Sequence, residues 1–477
     1  MKNLFVVVLQ ANISIFNQTE DLMKSLFQKT IGILVTLLLI TTFLNAEPLV
    51  IKNVNVLTME SDQIAQNQTI IIRDGFIDWI GPHSDADIPQ DALIVEGDFY
   101  VMPGLAEMHA HIPGSNQGID AMENTLALYL SQGITTIRGM LGDPAHLELR
   151  ERAESGDFFS PRIFTSGPSF SGNTATDPET TRQMVREQFE AGYDLLKFHP
   201  GISLENFEAA TEEANNLGIE FSGHISIDVG LERSLEAGKG SIDHLDRYME
   251  FLAGDAADRD DPPIIFFGYD LTPHVDENRI DEAARITAEA GVWNVPTNTL
   301  LENVFNPDLA PEEMQSWPGM EFIPSGIVEN WTNYVNQIRA SDAYDPDQAC
   351  QFLEIRKKLT YALLQNQAGL MLGADAPQIF NPPGYSAHRE LALLVDAGLS
   401  PYEAIKTGTV NVGVYLEEPD QTGKVTPGYR ADLILLSSNP LETIPFKEHI
   451  EGVVYRGNFA DRAELDEILD HVRNQAE

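Results

Sequence analysis

The chain is 477 residues long, enough for one large barrel with an attachment or for two or three smaller domains. Its 73 acidic against 30 basic residues give a formal net charge of −43, which excludes a nucleic-acid or anionic-membrane binder, since both need clustered Lys and Arg. The single cysteine, Cys350, rules out an intrachain disulfide and a cysteine zinc cage, and is expected to be buried and inert.

Residues 1–46 read as an export segment. From Met23, the expected start, the chain runs MKSLFQKTIGILVTLLLITTFLNAEP, with Lys24 and Lys29 ahead of an apolar run over 31–44. That run falls short of the ~20 residues a membrane span needs, and it ends at Ala46, a small residue suited to cleavage. A periplasmic or secreted protein beginning near Glu47 is expected.

Residues 47–103 hold alternating runs (LVIKNVNVLTM, TIIIRDGFIDWIG, ALIVEGDFYVMPG) that predict β-strands, with Asp74-Gly75 as a hairpin turn. The same style returns over 416–458. The two ends are therefore expected to pair as a composite domain, a small β-sandwich, with a final helix over 459–477.

Between them, residues 104–415 alternate apolar β-like runs with segments of helical period about eight times over. This is the pattern of a parallel (β/α)8 TIM barrel. The stretch 301–370 is too long for a simple βα connection, and part of it is expected to cap the barrel mouth.

Chemistry-bearing residues sit at the strand ends. In GLAEMHAHIPG, His109 and His111 are two residues apart, so on a strand both rings face one way. The later ends carry Arg138, Lys197 and His199, His224, His244 and Asp375. Each has an ordinary reading: a histidine bonding a loop, or a lysine paired with a carboxylate. Their order around one rim makes a shared site the stronger reading, because active sites of such barrels lie at the C-terminal ends of the strands.

The motifs MPGLAEMHAH, DLLKFHPG, FSGHIS, SIDHLDRY and LGADAP, with the tail AHRELALLVDAGLSPYEAIKTGTVNVGVYL, resemble the amidohydrolase superfamily over about 48–458. Within it the chain looks most like the imidazolonepropionase-like, prolidase-like branch. The resemblance implies a binuclear site of two divalent metal ions, zinc by preference. His109, His111 and Asp375 would hold one ion and His224 and His244 the other, with carboxylated Lys197 and a hydroxide bridging both. A bare ammonium would be repelled there, which agrees with a modified lysine. The implied activity is hydrolysis of a C–N bond in a small-molecule dipeptide or N-acyl amino acid, with Asp375 catalytic.

Alternatives are a lactone, cyclic-amide or phosphotriester hydrolase on the same site, a mononuclear deaminase (disfavoured by Lys197), and a non-catalytic scaffold. His199 stands where several relatives carry a tyrosine. Substrate contacts are expected from Arg138, as a carboxylate clamp, and from His199, Tyr248 and His388. His83, His146, His274, His449 and His471 are expected at the surface. A homo-oligomer is compatible with the sequence.

Overall fold

The computed structural model describes residues 47–257 and 267–476; the expected export segment lies outside them. The chain's early strands β1 (Leu49–Leu57), β2 (Ile64–Arg73) and β3 (Phe76–Pro82) form an antiparallel meander. Asp74 and Gly75 turn β2 into β3 with φ of 50° and 81°, the doubly left-handed backbone that a two-residue hairpin requires.

Two further strands, β4 (Leu93–Glu96) and β5 (Tyr100–Pro103), lie end to end along one edge of β1, both parallel to it. The far end of the chain joins here. β13 (Leu433–Leu436) runs antiparallel to β5, followed outward by β14 (Ile450–Tyr455) and β15 (Asn458–Asp461). The result is one connected eight-stranded sheet where a sandwich was expected. That continuity lies in β1, whose long edge accepts β4 on one half and β5 on the other. Helix Arg462–Ala476 follows and buries Leu465, Leu469 and Val472, packing on helix Ile119–Ser131.

The middle of the chain holds two parallel sheets. One comprises β6 (Leu105–Ala110), β7 (Ile134–Gly139) and β8 (Arg162–Thr165). The other comprises β9 (Leu195–Phe198), β10 (Glu220–Gly223), β11 (Ser241–Asp243) and β12 (Trp293–Val295). Helices separate consecutive strands, and β6, β7, β9 and β11 are buried along their whole length, as expected for strands covered on both faces.

Among the described residues these seven strands do not close into the expected barrel sheet. Isolated bridges span both gaps: Ser166 with Leu195 on one side, and Asn294 with Leu370 and Ala110 with Ala376 on the other. The eighth segment, 370–376, donates from Met371 to Asn294 O (2.9 Å), and its Leu372 O accepts from Met108 N (2.8 Å). It does not form a regular strand because Asp375 takes a φ of 63° and Gly373 is pressed against its neighbours. A Cβ at Gly373 would lie 2.9 Å from the His109 backbone nitrogen. That irregularity is what turns Asp375 toward the histidines.

Residues 301–370 divide in two. Helices Asn298–Phe305 and Ser325–Arg339 stand over the strand ends, whereas helix Pro346–Gln365 packs beside helix Ile280–Ala290. There Arg356 donates to His244 O and Pro296 O, both at 2.8 Å.

Candidate active site

β6 carries Glu107 and His109, and His111 follows directly after its end. His109 is 1% exposed, and its ring lies 5.4 Å from that of His111 and 4.6 Å from that of His244. The His224 ring stacks on His244 at 4.5 Å, and His199 lies 5.1 Å from His224. Four strand ends thus deliver five imidazoles to one place. Asp375 Oδ1 is 2.7 Å from His111 Nε2 and 3.4 Å from His109 Nε2, and its Oδ2 is 3.9 Å from His244 Nδ1.

Lys197 is fully buried, with Nζ 2.8 Å from Asp243 Oδ2. The same oxygen is 3.0 Å from His109 Nδ1, and Asp243 Oδ1 is 3.5 Å from Arg138 Nη2. Asp246 Oδ2 accepts from His224 Nδ1 (2.8 Å) and Ile225 N (3.1 Å), while Thr297 Oγ1 lies 2.8 Å from His244 Nδ1. Such partners fix ring orientation, the arrangement by which proteins position metal-binding imidazoles.

Burial holds His109 down to about 4, aided by the charge of Lys197, and His199 down to about 3 by the same two causes. Burial likewise keeps His244 far below its ordinary value. These imidazoles are neutral at pH 7 and present lone pairs. Burial pushes the carboxyl of Asp375 up, but His109, His111 and His244 together pull it well below the usual range. Burial pushes Asp246 up, but the contacts with His224, His244 and Arg247 together bring it down to about 2. Glu107, whose Oε1 accepts from Ala374 N at 2.5 Å, is pushed up to about 8 by burial.

His109, His244 and Asp375 offer ligand atoms within 4.8 Å of one another. Nitrogens of His111 and His199 are buried without a hydrogen-bond partner. Neutral imidazoles beside an ionised carboxylate suit a divalent ion such as zinc, so the residues fit a metal centre.

Left-handed backbone concentrates here. His244, Leu245, Arg247, Thr297 and Asp375 have φ of 60°, 55°, 67°, 48° and 63°. Non-glycine residues held this way cost about 1–3 kcal/mol each and cluster where function requires an otherwise unfavourable side-chain direction.

Beside the cluster opens a cavity of about 430 Å3, lined by His199, His224, His244, Asp246, Arg247, Asp375 and Gln378 on its polar side. Phe267, Leu300, Val304, Phe305, Ile338 and Ile379 supply an apolar wall, to which the two overhanging helices contribute.

Three expected contacts do not line this cavity. Arg138 is consumed in the core, donating to Met108 O (2.8 Å), to Ser241 Oγ (3.0 Å) and to Tyr415, which in turn bonds Glu220. Its long side chain leans away from the histidines, so it is no carboxylate clamp. Tyr248 is fully buried, its hydroxyl between Thr287 Oγ1 (2.8 Å) and Asn294 Oδ1 (3.0 Å). His388 is buried against Phe446, with Nε2 2.9 Å from Gln132 O, and ties a helix to the chain before β7.

His146 is also buried, with Nε2 2.9 Å from Pro113 O, whereas His274 and His471 are exposed and His83 and His449 half-buried. Cys350, expected inside, is exposed. Sequence reasoning missed Asp243, Asp246, Thr297 and Arg247. The run SIDHLDR carried a signal for two of them, Asp243 and Asp246, since carboxylates flanking a strand-end histidine are natural partners for neighbouring imidazoles.

Residues 100–460 match the model of the Amidohydrolase family. Ochratoxinase of Aspergillus niger is 24% identical over 422 residues, covering 82% of this chain and 81% of its own. Among solved structures, a bottromycin amidohydrolase superposes with a TM-score of 0.67 at 20% identity, covering 90% of each chain. A Xaa-Pro dipeptidase with bound methionine gives 0.63 at 20% identity, covering 87% of this chain and 100% of that one. The chain belongs to the amidohydrolase family.

Proposed function

We propose that this chain is a metal-dependent hydrolase cleaving the amide bond of a dipeptide or N-acyl amino acid. The reading takes the two parallel sheets with segment 370–376 as a (β/α)8 barrel, and the sheet of the chain ends as its attached domain. The observation that carries it is the convergence of five histidines, Lys197 and Asp375 beside a cavity with one polar and one apolar side. The named activities of the ochratoxinase, dipeptidase and bottromycin amidohydrolase relatives are consistent with it.

His109, His111, His224, His244, Asp375 and a carboxylated Lys197 would hold two divalent ions, zinc by preference. When bound, such ions lower the pKa of water and polarise a carbonyl. The chain's own residues do the rest. Asp246 and Thr297 hold the rings of His224 and His244 in direction. Asp375, ionised at neutral pH, takes the proton of the attacking water and returns it to the leaving amine nitrogen. The apolar wall excludes bulk water, which strengthens every charge interaction inside. The protein is further proposed to be exported, with cleavage after Ala46.

The test is zinc-loaded protein presented with a panel of dipeptides and N-acyl amino acids, scored for free amino acid and for metal content. Release of amino acid is expected, with two ions per chain in the wild type and fewer than two in Lys197→Ala. A panel that yields no amino acid from fully metallated protein removes the reading.

A further inference from the structure

An amino-acid product carries a carboxylate one carbon from the nitrogen released, and something in the cavity must meet it. Arg138 does not. Among the described residues lining the cavity, Arg247 is the one arginine, and no lysine accompanies it.

Arg247 is placed there at a cost. It follows His244 by three residues and sits at φ 67°, in a run where His244 and Leu245 are also left-handed. Observed strain of this kind points to a side chain whose direction matters. The guanidinium is held on two sides: Nε donates to Ile225 O at 2.9 Å and Nη1 to Glu250. Neither bond engages Nη2. The side chain is 17% exposed, partly desolvated, where a charged hydrogen bond is stronger than in open water.

The cavity offers little to a free ammonium group. Its two carboxylates both stand within the histidine cluster, Asp246 Oδ2 bonded by His224 and Ile225 N and Asp375 Oδ1 by His111. Its other side is Phe267, Leu300, Val304, Phe305, Ile338 and Ile379, with no charge among them.

Resting on the amide-hydrolase reading, we propose that Arg247 is the specificity residue that pairs with the substrate carboxylate. The apolar wall takes a bulky apolar acyl group. The substrate class is then N-acyl amino acids with long aliphatic or aromatic acyl groups, in preference to dipeptides with a free amino terminus.

The experiment uses the metal-loaded full protein with N-decanoyl-phenylalanine, its C-terminal amide, and the dipeptide Ala-Phe. Wild type is expected to prefer the N-decanoyl acid over both others by roughly tenfold or more in kcat/KM. In Arg247→Met the KM for the acid should rise roughly tenfold to a hundredfold, the effect of losing a hydrogen bond to a charged group, so that the acid-to-amide preference collapses toward one. Arg247→Lys, which keeps the charge, should retain part of that preference, and thermal melts of both variants report folding.

A wild type that cleaves acid and amide equally, or that favours Ala-Phe, overturns this proposal and leaves the amide-hydrolase reading standing. So does an Arg247→Met variant that loses acid and amide in the same proportion, because its role is then structural. Cleavage of none of the three by metallated protein removes both.

Discussion

Replacing Asp243 by Asn changes almost no volume and removes one buried negative charge from between three partners. The carboxylate is fully buried, 2.8 Å from Lys197 Nζ, 3.0 Å from His109 Nδ1 and 3.5 Å from Arg138 Nη2. Burial pushes its pKa up, yet Lys197, His109 and Arg138 hold it well below the ordinary range. A unit-charge pair at about 3 Å and an effective dielectric constant of about 20 interacts by about 5 kcal/mol. Desolvating the carboxylate offsets part of that, and breaking a buried pair by deleting one partner costs about 3–5 kcal/mol.

Arg138 keeps Tyr415 and Glu220, so the loss falls mainly on Lys197. Urea unfolding of the metal-free chain at pH 7 should show that loss as a lower midpoint with an unchanged slope. The sign with pH follows from a depressed folded pKa: the contribution is complete above the unfolded value near 4 and is lost as pH falls through the folded one. A second readout is metal affinity, which should fall roughly 10–100-fold because His109 loses a partner that directs its ring. An Asp243→Asn chain within about 0.5 kcal/mol of wild type, binding metal equally well, would refute the reasoning.

Asp375→Asn should retain much of the metal while kcat falls roughly 10²–10⁴-fold, the range for general acid–base catalysis, and less for anilides and esters, whose leaving groups need less protonation. Full recovery of rate on adding metal would reduce Asp375 to a ligand. Glu390 accepts from Asn298 N (2.9 Å) and Thr299 N (2.7 Å), and burial pushes it up from 4.5 to about 7. Because its folded pKa is raised, its contribution is complete below pH 4.5 and is lost as pH rises to about 7. The stability difference from Glu390→Gln should therefore shrink over that window by about 3 kcal/mol, read from denaturation midpoints; a constant difference would count against it.

The site was legible where strand periodicity decides direction. His109 and His111 share a face because they are two residues apart, and Lys197, His224 and His244 index successive strand ends around one rim. Arg138 shows where periodicity stops. Alternation says that a side chain points inward, but not toward which end of the strands a long one then leans, and Arg138 leans to Tyr415 and Glu220. Tyr248 and His388 were misplaced for a related reason: a helix start near a strand end looks close to the site in sequence, while the helix itself packs backward into the core. The sheet of the chain ends was legible as strands, but its connection depended on β1 offering one edge to two partners, a long-range choice that no local pattern encodes.

The pairing of β5 with β13 also governs how the protein is made. Pro103 meets Leu433 across about two thirds of the chain, so this contact forms only after most of the polypeptide has been synthesised. Until then β5 presents an unpaired row of backbone donors and acceptors, the kind of edge that recruits other strands. Contacts of such high sequence separation must also overcome loop-closure entropy before they stabilise anything, and they make folding slow. A nascent or clipped chain that ends before Leu433 therefore carries a sticky open edge, and the arrival of β13 converts it into the middle of a finished sheet.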